Sequence, residues 1–411
     1  MTGPQDGGGG AALAGVRVLD ASRVLAGPYC TMVLADMGAD VVKVERPAGG
    51  DDTRAWGPPY LGDPADGLSA YFLAVNRSKR SVAIDLRSER GRRLFLDLAG
   101  KSDVVVENFA PGVAQRLGLD HAALCAARPD LVHCSITAFG RKPGPGYDLV
   151  IQGLSGLMSL TGEPEGAPMK VGVALTDVIA GLHAASAILA AVISRQRTGE
   201  GQHLEVNLMG STVAALVNVA QAFLLNARPP RRFGNAHPQI VPYEVYAAGD
   251  GYLTIGAGND KLFTGLCTVL GCPELLRDAR FADNSARVAN RTALNAVLTP
   301  LIARRAVAEL VAELTAAGVP AGAVADLPGV FGAPPAAPPG VNLLELAAAD
   351  DRRYLSVGPV VEMPGLRGDP CGAPLLGQHT HEVLAELLGL AAPHLAELER
   401  EGAIARHEFD A

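Results

Sequence analysis

The stretch VRVLDASRVLAGPYCTMVLADMGADVVKVE, residues 16–45, decides the fold of this chain. Its two ends, residues 16–20 and 41–45, are short apolar runs rich in valine, which predicts a β-strand at each. Residues 28–37 between them have the pattern of a helix, with a proline in the first turn and Gly38 as its stop. A strand, a helix and a second strand in this order predict a βαβ unit.

Strands and helices continue to alternate beyond this unit. Short apolar runs follow at residues 82–86, 104–106, 131–136 and 204–208, with helical stretches such as 91–98 between them. This alternation predicts an α/β fold built on a doubly wound parallel sheet. Ligands of such sheets bind beyond the carboxyl ends of the strands, so we expect the functional site there.

The composition changes after a predicted helix at residues 210–225. Residues 243–255 have the pattern of a hairpin, and residues 261–314 that of several helices, so we expect a smaller α+β domain. The tail from residue 380 is expected to be helical. The predicted organisation is a flexible, glycine-rich N-terminus at 1–12, the first part of a large domain at 13–208, a linker helix at 209–235, the small domain at 236–325, and a linker with the return to the large domain at 326–411.

The composition of the chain argues against several function classes. A net charge of -8 over 411 residues disfavours a nucleic-acid-binding protein, which needs a concentrated basic surface. There is no uninterrupted run of 18 apolar residues and no pattern of a signal peptide, so we expect a cytoplasmic protein without a membrane partner. The six cysteines form no CxxC pair and no metal-ligand spacing with the nine histidines, so we expect reduced thiols and no metal. The first βα turn lacks a GxGxxG fingerprint, which argues against a dinucleotide cofactor.

Asp177 is the most informative single residue, because it heads a run of small apolar side chains at residues 177–192. Taken alone, an aspartate at the start of a helix is more often an N-cap, and the helix dipole would keep it ionised near neutral pH. A catalytic nucleophile is the alternative. Glycine-containing turns within residues 146–176 lead polar groups towards it, which is more than a cap needs. His183, on the same run, is expected to be a core histidine whose polar atoms are satisfied.

Positive charge collects at the predicted strand ends and loops. Each of these side chains, taken separately, is interpreted as a solvated surface charge. Several of them meeting at the carboxyl edge of one sheet would suit a polyphosphate ligand bound without metal. The residues are Arg23, Arg46, Arg54, the cluster Arg77-Ser-Lys79-Arg80, and Arg116.

Several motifs in combination resemble the class III CoA-transferases, the family of formyl-CoA transferase. Within this family the chain looks most like enzymes that pass CoA from succinyl-CoA to another dicarboxylate, such as glutarate. The resemblance runs over roughly residues 13–330 and returns at 374–380. The motifs are Arg23–Pro28, Gly38–Pro47, Gly50–Pro59, Asn76–Ser81, Val106–Phe109, Gly234–Tyr243 and Gly256–Asn259.

The resemblance implies a mechanism in which Asp177 is the nucleophile. Its carboxylate attacks the donor thioester to give a mixed anhydride, and the released CoA thiolate then forms an aspartyl-CoA thioester. The acceptor carboxylate attacks that thioester, and the acyl group is handed back to CoA. Acyl-CoA is thus a substrate and not a permanently bound cofactor, a small carboxylic acid is the second substrate, and no metal is required.

The resemblance also implies which residues contact CoA. Cationic side chains suit the phosphates, while Phe109 and small neighbours suit adenine or the pantetheine arm. We add one hypothesis from charge: Arg23 holds the remote carboxylate of a dicarboxylic acid in a bidentate grip. Tyr147 is the second candidate for substrate contact. The implied CoA-contact positions are Val24, Ala26, Arg46, Lys79, Asn108, Phe109 and Arg116.

The family fold implies a large Rossmann-like, CoA-binding domain, a smaller α+β domain, and a homodimer of two interlocked ring-like subunits. Two other functions stay open. In the α-methylacyl-CoA racemases of the family, a histidine and an aspartate act as paired acid and base. Tyr147 stands at that histidine position, and a phenol with a pKa of about 10 is a poor base at neutral pH. A CoA-binding protein without turnover is the other alternative.

Overall fold

The computed structural model describes residues 10–144, 146–361 and 370–407. The chain divides into two compact units. Most of the predicted flexible N-terminus, residues 1–12, lies outside the described residues, and the domain boundaries predicted above stay predictions. The large unit comprises Met1–Leu157, Val171–Leu225 and Pro339–Ala411, and the small unit comprises Met158–Lys170 and Asn226–Pro338.

The strands of the described residues form three sheets. The large unit contains a seven-stranded sheet of order β12-β3-β2-β1-β4-β5-β6, and the small unit a three-stranded sheet of order β7-β8-β9. A separate antiparallel pair, β10 and β11, belongs to the large unit. In chain order the strands are β1 Arg17–Asp20, β2 Asp40–Glu45, β3 Lys79–Ile84, β4 Val104–Glu107, β5 Val132–Thr137, β6 Gln202–Asn207, β7 Tyr243–Ala248, β8 Gly251–Gly256, β9 Ala321–Ala323, β10 Leu343–Ala347, β11 Arg353–Val357 and β12 Ile404–Ala405.

The helices lie between these strands. Short 3-10 segments occur at Asp52–Ala55, Pro64–Asp66, Pro273–Arg277 and Ala279–Phe281. In chain order the α-helices are α1 Ala26–Asp36, α2 Ala70–Val75, α3 Glu89–Gly100, α4 Val113–Leu117, α5 His121–Ala127, α6 Asp148–Leu154, α7 Leu157–Leu160, α8 Leu175–Thr198, α9 Leu208–Ala215, α10 Val217–Asn226, α11 Asp260–Leu270, α12 Asn284–Ala289, α13 Arg291–Ile302, α14 Val307–Ala316, α15 Leu327–Phe331, α16 Thr380–Leu388 and α17 Ala392–Arg400.

The predicted α/β architecture is confirmed in the large unit. Strands β1 and β2 are parallel with α1 between them in the chain, which is the expected βαβ unit. Strands β1 to β6 all run parallel, so their carboxyl ends meet at one edge of the sheet. The small unit contains the predicted hairpin, β7 and β8, whose antiparallel pairing ends at Ala248 and Gly251.

The large sheet separates two hydrophobic cores, because successive side chains of a strand point to opposite faces. Val18 packs with α1 and α8 on one face, and Leu19 packs with α3 and the C-terminal helices on the other. Helix α8 buries small side chains such as Ala180, Gly181 and Ala184. Small residues let α8 lie close to α1, which carries the start of the expected CoA site.

By length and composition, α8 could cross a membrane, as could the bent pair of α9 and α10 taken together. The same pattern fits a core helix, and α8 packs on α1, β5 and β6.

Two sequence predictions of secondary structure were wrong in detail. The helix expected at residues 210–225 is two helices, α9 and α10, which meet at 83° where Val217 has a φ of 32°. The tail is not wholly helical, because β12 follows α17 and pairs with β3. This pairing covers the exposed edge of the sheet, which would otherwise present unpaired backbone groups.

Candidate active site

Asp177 is not the N-cap that its isolated position suggested. Ala174 is the N-cap of α8, and Asp177 lies in the first turn of the helix. The capping carboxylate comes instead from Asp148 at the start of α6, which accepts hydrogen bonds from the backbone nitrogen of Thr176 at 2.9 Å and from its hydroxyl at 2.7 Å. Asp148 thus takes over the role that the sequence predicted for Asp177.

The Asp148 carboxylate is itself held in place. Its second oxygen accepts a hydrogen bond from Gln152 Nε2 at 2.8 Å, and Gln152 Oε1 accepts one from the Val171 backbone nitrogen at 2.8 Å. Asp148 therefore sits at a fixed place beside the first turn of α8.

This arrangement changes the expected charge of Asp177. Its pKa is raised from 3.8 to about 7, first because the carboxylate is withdrawn from water and second because the negative charge of Asp148 is nearby. The N-cap interpretation implied an ionised Asp177 near neutral pH, whereas a carboxyl group with a pKa of about 7 is partly protonated there. A desolvated carboxylate of this kind is typical of functional sites and becomes a nucleophile when it loses its proton.

A cavity of about 270 Å³ lies directly beside Asp177. It is formed within the large unit at the carboxyl edge of the parallel sheet, where ligands of such sheets bind. The cavity brings Asp177 together with six other residues that were predicted for the site: Arg23, Val24, Ala26, Asn108, Phe109 and Tyr147.

The loops after β1 and β4 form one wall of this cavity, because the two strands are neighbours in the sheet. Asn108 ties the loops together: its Oδ1 accepts from the Arg23 backbone nitrogen at 2.9 Å, and its Nδ2 donates to the Arg23 carbonyl at 2.7 Å. Val24 follows with a φ of 70°, a strained conformation for a β-branched residue. Strain of this kind collects at functional sites.

A second cavity, of about 540 Å³, opens at the ends of β2 and β3. Arg23 and Phe109 line both cavities, and Arg46 lines the second one. Arg23 and Arg46 both pair with Asp52, at 3.0 and 2.7 Å, and keep about half of their side chains exposed. The second cavity is therefore bordered by guanidinium groups that a phosphate could reach.

The second cavity also contains residues that the sequence reasoning missed. Ile84, the last residue of β3, lines this cavity together with Asp85, Leu86 and Arg87, which follow it. Ligands of parallel sheets bind beyond the carboxyl ends of the strands, and this rule could have identified the loop after β3 as it did the loops after β1 and β4.

Two predicted CoA contacts lie in neither cavity. Arg116 is exposed on α4. Lys79 is fully buried, and its ammonium donates to Asp20 at 3.1 Å, to the Pro28 carbonyl at 2.9 Å and to Asn76 at 3.0 Å. Burial lowers the pKa of Lys79 to about 8, opposed by the attraction of Asp20. Contact of either residue with CoA stays a prediction.

Several cations interpreted as surface charges are in fact buried in ion pairs. Arg54 makes two hydrogen bonds of 2.7 Å to Glu45, and Arg77 is bound to Asp36. Pairing with a carboxylate offsets the cost of removing each guanidinium from water. Both guanidinium groups are thus engaged by protein carboxylates and line neither of the two cavities.

Two further predicted residues are exposed. Tyr147 precedes α6 as its N-cap residue, and 71% of its surface is accessible. His183 is exposed on α8, so the expectation of a core histidine was wrong.

Comparison with known proteins places this site in a family. The family model described as CoA-transferase family III matches residues 13–380. The succinate–glutarate CoA-transferase of Agrobacterium fabrum is 42% identical, covering 91% of this chain and 95% of that protein. The succinyl-CoA:mesaconate CoA-transferase of Haloarcula marismortui is 38% identical, with coverage of 91% and 96%.

A solved structure agrees with these matches. The crystal structure of a CAIB/BAIF family protein from Brucella suis has a TM-score of 0.79 and 41% sequence identity, and the match covers 92% of this chain and all of that one. The chain therefore belongs to CoA-transferase family III, and it is a CoA-transferase.

Proposed function

We propose that this enzyme transfers CoA from succinyl-CoA to a second dicarboxylate, with glutarate as the first candidate, and that Asp177 carries the transfer covalently. The observation that carries the proposal is the shared cavity of Asp177, Val24, Ala26, Asn108 and Phe109. The names of the two relatives above support succinyl-CoA as donor and a dicarboxylate as acceptor, since glutarate and mesaconate both have two carboxylates.

The proposed reaction begins with ionised Asp177. Its carboxylate attacks the thioester carbonyl of succinyl-CoA, the C–S bond breaks, and CoA leaves as a thiolate. The thiolate attacks the aspartyl carbonyl of the mixed anhydride, succinate leaves, and an aspartyl-CoA thioester remains. The acceptor carboxylate displaces the thiolate, which then attacks the acceptor carbonyl and restores Asp177. Charge balances at every step, and no external base is needed.

Burial of Asp177 serves this chemistry in two ways. The cavity keeps water away from the anhydride and the thioester, which water would hydrolyse. It also strengthens any hydrogen bond to the oxyanions of the tetrahedral intermediates. Gly146 lies in the cavity wall, where the lack of a side chain allows the backbone to approach the reacting carbonyl.

CoA is proposed to extend across both cavities of the large unit. Its phosphates would lie near Arg46 and Arg87 in the larger cavity, because guanidinium groups suit phosphate oxygens. Its pantetheine arm would then pass Arg23 and Phe109, which line both cavities, to reach Asp177.

We also propose that two copies form the interlocked homodimer of the family. Support comes from large apolar side chains that are exposed in the single chain. Leu182 and Ile193 on α8 are 45% and 56% exposed, and Leu224 and Leu225 on α10 are 75% and 78% exposed. A second copy would remove this apolar surface from water. Light scattering during gel filtration measures the mass directly, and a monomer would contradict this part of the proposal.

An acceptor screen tests the function. The purified enzyme is incubated with succinyl-CoA and either glutarate, mesaconate or a monocarboxylate of similar length, and the CoA esters are separated by chromatography with mass detection. We expect new CoA esters of the dicarboxylates, little product from the monocarboxylate, and no transfer by Asp177→Ala. Preference for the monocarboxylate, or hydrolysis alone, would overturn the proposal.

A further inference from the structure

Three histidines that the transfer reaction does not use lie side by side in the large unit. His133 on β5 and His203 on β6 are direct partners in the parallel register, so their side chains leave the same face of the sheet. Their ring centroids are 4.5 Å apart, and the ring of His121, the first residue of α5, lies 4.7 Å from that of His203. One ring nitrogen of each histidine lies within 4.8 Å of the others.

Other potential ligand atoms surround this histidine cluster. Glu107 Oε1 lies 3.6 Å from His133 Nε2, and Ser135 Oγ lies 2.9 Å from His203 Nε2. Cys125, one turn along α5, places its sulfur 3.4 Å from His121 Nε2. The cluster lines a cavity of about 540 Å³ that does not include Asp177 but shares Phe109 and Pro111 with the cavity beside it.

If the three rings only stack on one another, the burial of His133 costs free energy. His133 is 2% exposed, and its Nδ1 has no hydrogen-bond partner among the residues that the structure describes. A buried polar atom without a partner costs about 1–3 kcal/mol. Packing of the rings alone does not explain why a polar imidazole is buried here. A ligand bound by the three imidazoles would explain it.

We propose that His121, His133 and His203 form a binding site for one divalent transition-metal ion of the zinc class. Imidazole suits Zn²⁺, Cu²⁺ and Ni²⁺, and three histidines leave a fourth position for water or for Glu107. Zinc–nitrogen bonds of about 2.0–2.1 Å place ligand nitrogens about 3.4 Å apart in a tetrahedral site.

The three rings are stacked with interplanar angles of 6° to 18°, so metal binding requires the rings to turn until one nitrogen of each faces the same ion. His133 is fixed on a central strand, whereas His121 is half-buried and His203 exposed, and both can turn towards it.

The site has a structural link to the expected CoA loop. Glu107 Oε2 accepts a hydrogen bond from the Phe109 backbone nitrogen at 2.6 Å, while its other oxygen faces His133. An ion at the cluster would fix Glu107, and Glu107 would fix the turn that carries Phe109. This consequence rests on the proposed function, whereas metal binding itself does not.

The test measures metal content directly. The tag-free, full-length protein is equilibrated with Zn²⁺, freed of excess by gel filtration, and analysed by plasma mass spectrometry. The same metal-free protein is titrated with Co²⁺ to follow the visible bands of tetrahedral cobalt. His203→Gln and His121→Gln each remove one accessible ligand, and His394→Gln is the control, since His394 is an exposed histidine on α17.

We expect about one zinc ion per chain in the wild type and in His394→Gln, with cobalt bands in both. The two cluster variants are expected to bind at least ~10- to 100-fold more weakly, the loss typical of removing even a supporting group. No binding by the wild type, or equal binding by the cluster variants, would overturn the proposal. Asp177→Ala should bind metal like the wild type, which separates this test from that of the transferase.

Discussion

The charge of Asp148 should control the pH at which the enzyme works. The pKa of Asp177 is raised to about 7 by burial and by the neighbouring Asp148 carboxylate, and only ionised Asp177 attacks the thioester in the proposed mechanism. The rate of aspartyl adduct formation should therefore be half of its plateau at a pH of about 7 and level from about pH 8 upwards. Well below pH 7 it should fall about tenfold for each pH unit, because the ionised fraction falls by that factor.

Asp148→Asn removes the negative charge but keeps an oxygen that can accept from Thr176. We expect the pKa of Asp177 to fall and the acidic limb of the rate profile to move to lower pH. Burial, the larger cause, remains, so the pKa should stay above 3.8. At pH 6 the wild type is about one-tenth ionised. Expressed relative to its own plateau, the rate of the variant at this pH should therefore rise, with a ceiling of about tenfold.

The substitution also has a structural cost that the assay must separate from charge. The new amide group would face Gln152, whose Nε2 now donates to Asp148 at 2.8 Å. Loss of this hydrogen bond costs about 1 kcal/mol and could lower the plateau rate, so the position of the limb is the quantity to compare. Asp97→Asn is the control, because Asp97 is an exposed acid on α3.

The assay is quenched-flow mass spectrometry of the CoA adduct in a single turnover between pH 5.5 and 8. If the acidic limb of the pH–rate profile lies at the same pH in Asp148→Asn and in the wild type, the electrostatic role of Asp148 is refuted. An equal displacement in Asp97→Asn would refute it as well, because the effect would then reflect net charge alone.

Three further changes test other parts of the account. Arg23→Ala should raise the KM for glutarate and spare a monocarboxylate acceptor in steady-state assays, and equal impairment would exclude a grip on the remote carboxylate. Gly181→Ala would place its Cβ 2.6 Å from the Ala26 carbonyl of α1, so we expect a loss of about 1–3 kcal/mol in the free energy of unfolding; an unchanged melting temperature would contradict this close packing. Glu45→Gln leaves the buried guanidinium of Arg54 without its carboxylate and should cost about 3–5 kcal/mol in denaturant unfolding, whereas a loss below ~1 kcal/mol would mean that the pair is not needed.

The parts of the fold that the sequence predicts are those with local patterns. Strands β1 and β2 lie in short, valine-rich stretches, and α1 has a proline in its first turn and Gly38 just after its end, so each element can be identified by itself. The site loops follow from the same patterns, because parallel strands bring their carboxyl ends to one edge. Asp177 itself was chosen as nucleophile only with the help of the family resemblance.

The features that sequence reasoning could not reach depend on partners far along the chain. Asp148 caps α8 from 28 residues before Thr176, and no local rule distinguishes that arrangement from a cap by Asp177 itself. Lys79 has the sequence pattern of a surface charge, but the sheet places it beside Asp20, which is 59 residues away in the sequence. The three histidines of the cluster lie on β5, β6 and α5, so their spacing in the sequence does not predict the cluster.

Covalent catalysis by Asp177 is the central claim, and mass spectrometry of the quenched enzyme and its peptides tests it most directly. The enzyme is incubated with succinyl-CoA, digested after quenching, and compared with Asp177→Ala and with a sample to which glutarate was added. We predict an adduct of CoA mass on the peptide that contains Asp177, absent from the variant and discharged by glutarate. Bound CoA without any adduct, or exchange of the α-proton of a branched acyl-CoA in its place, would contradict the account.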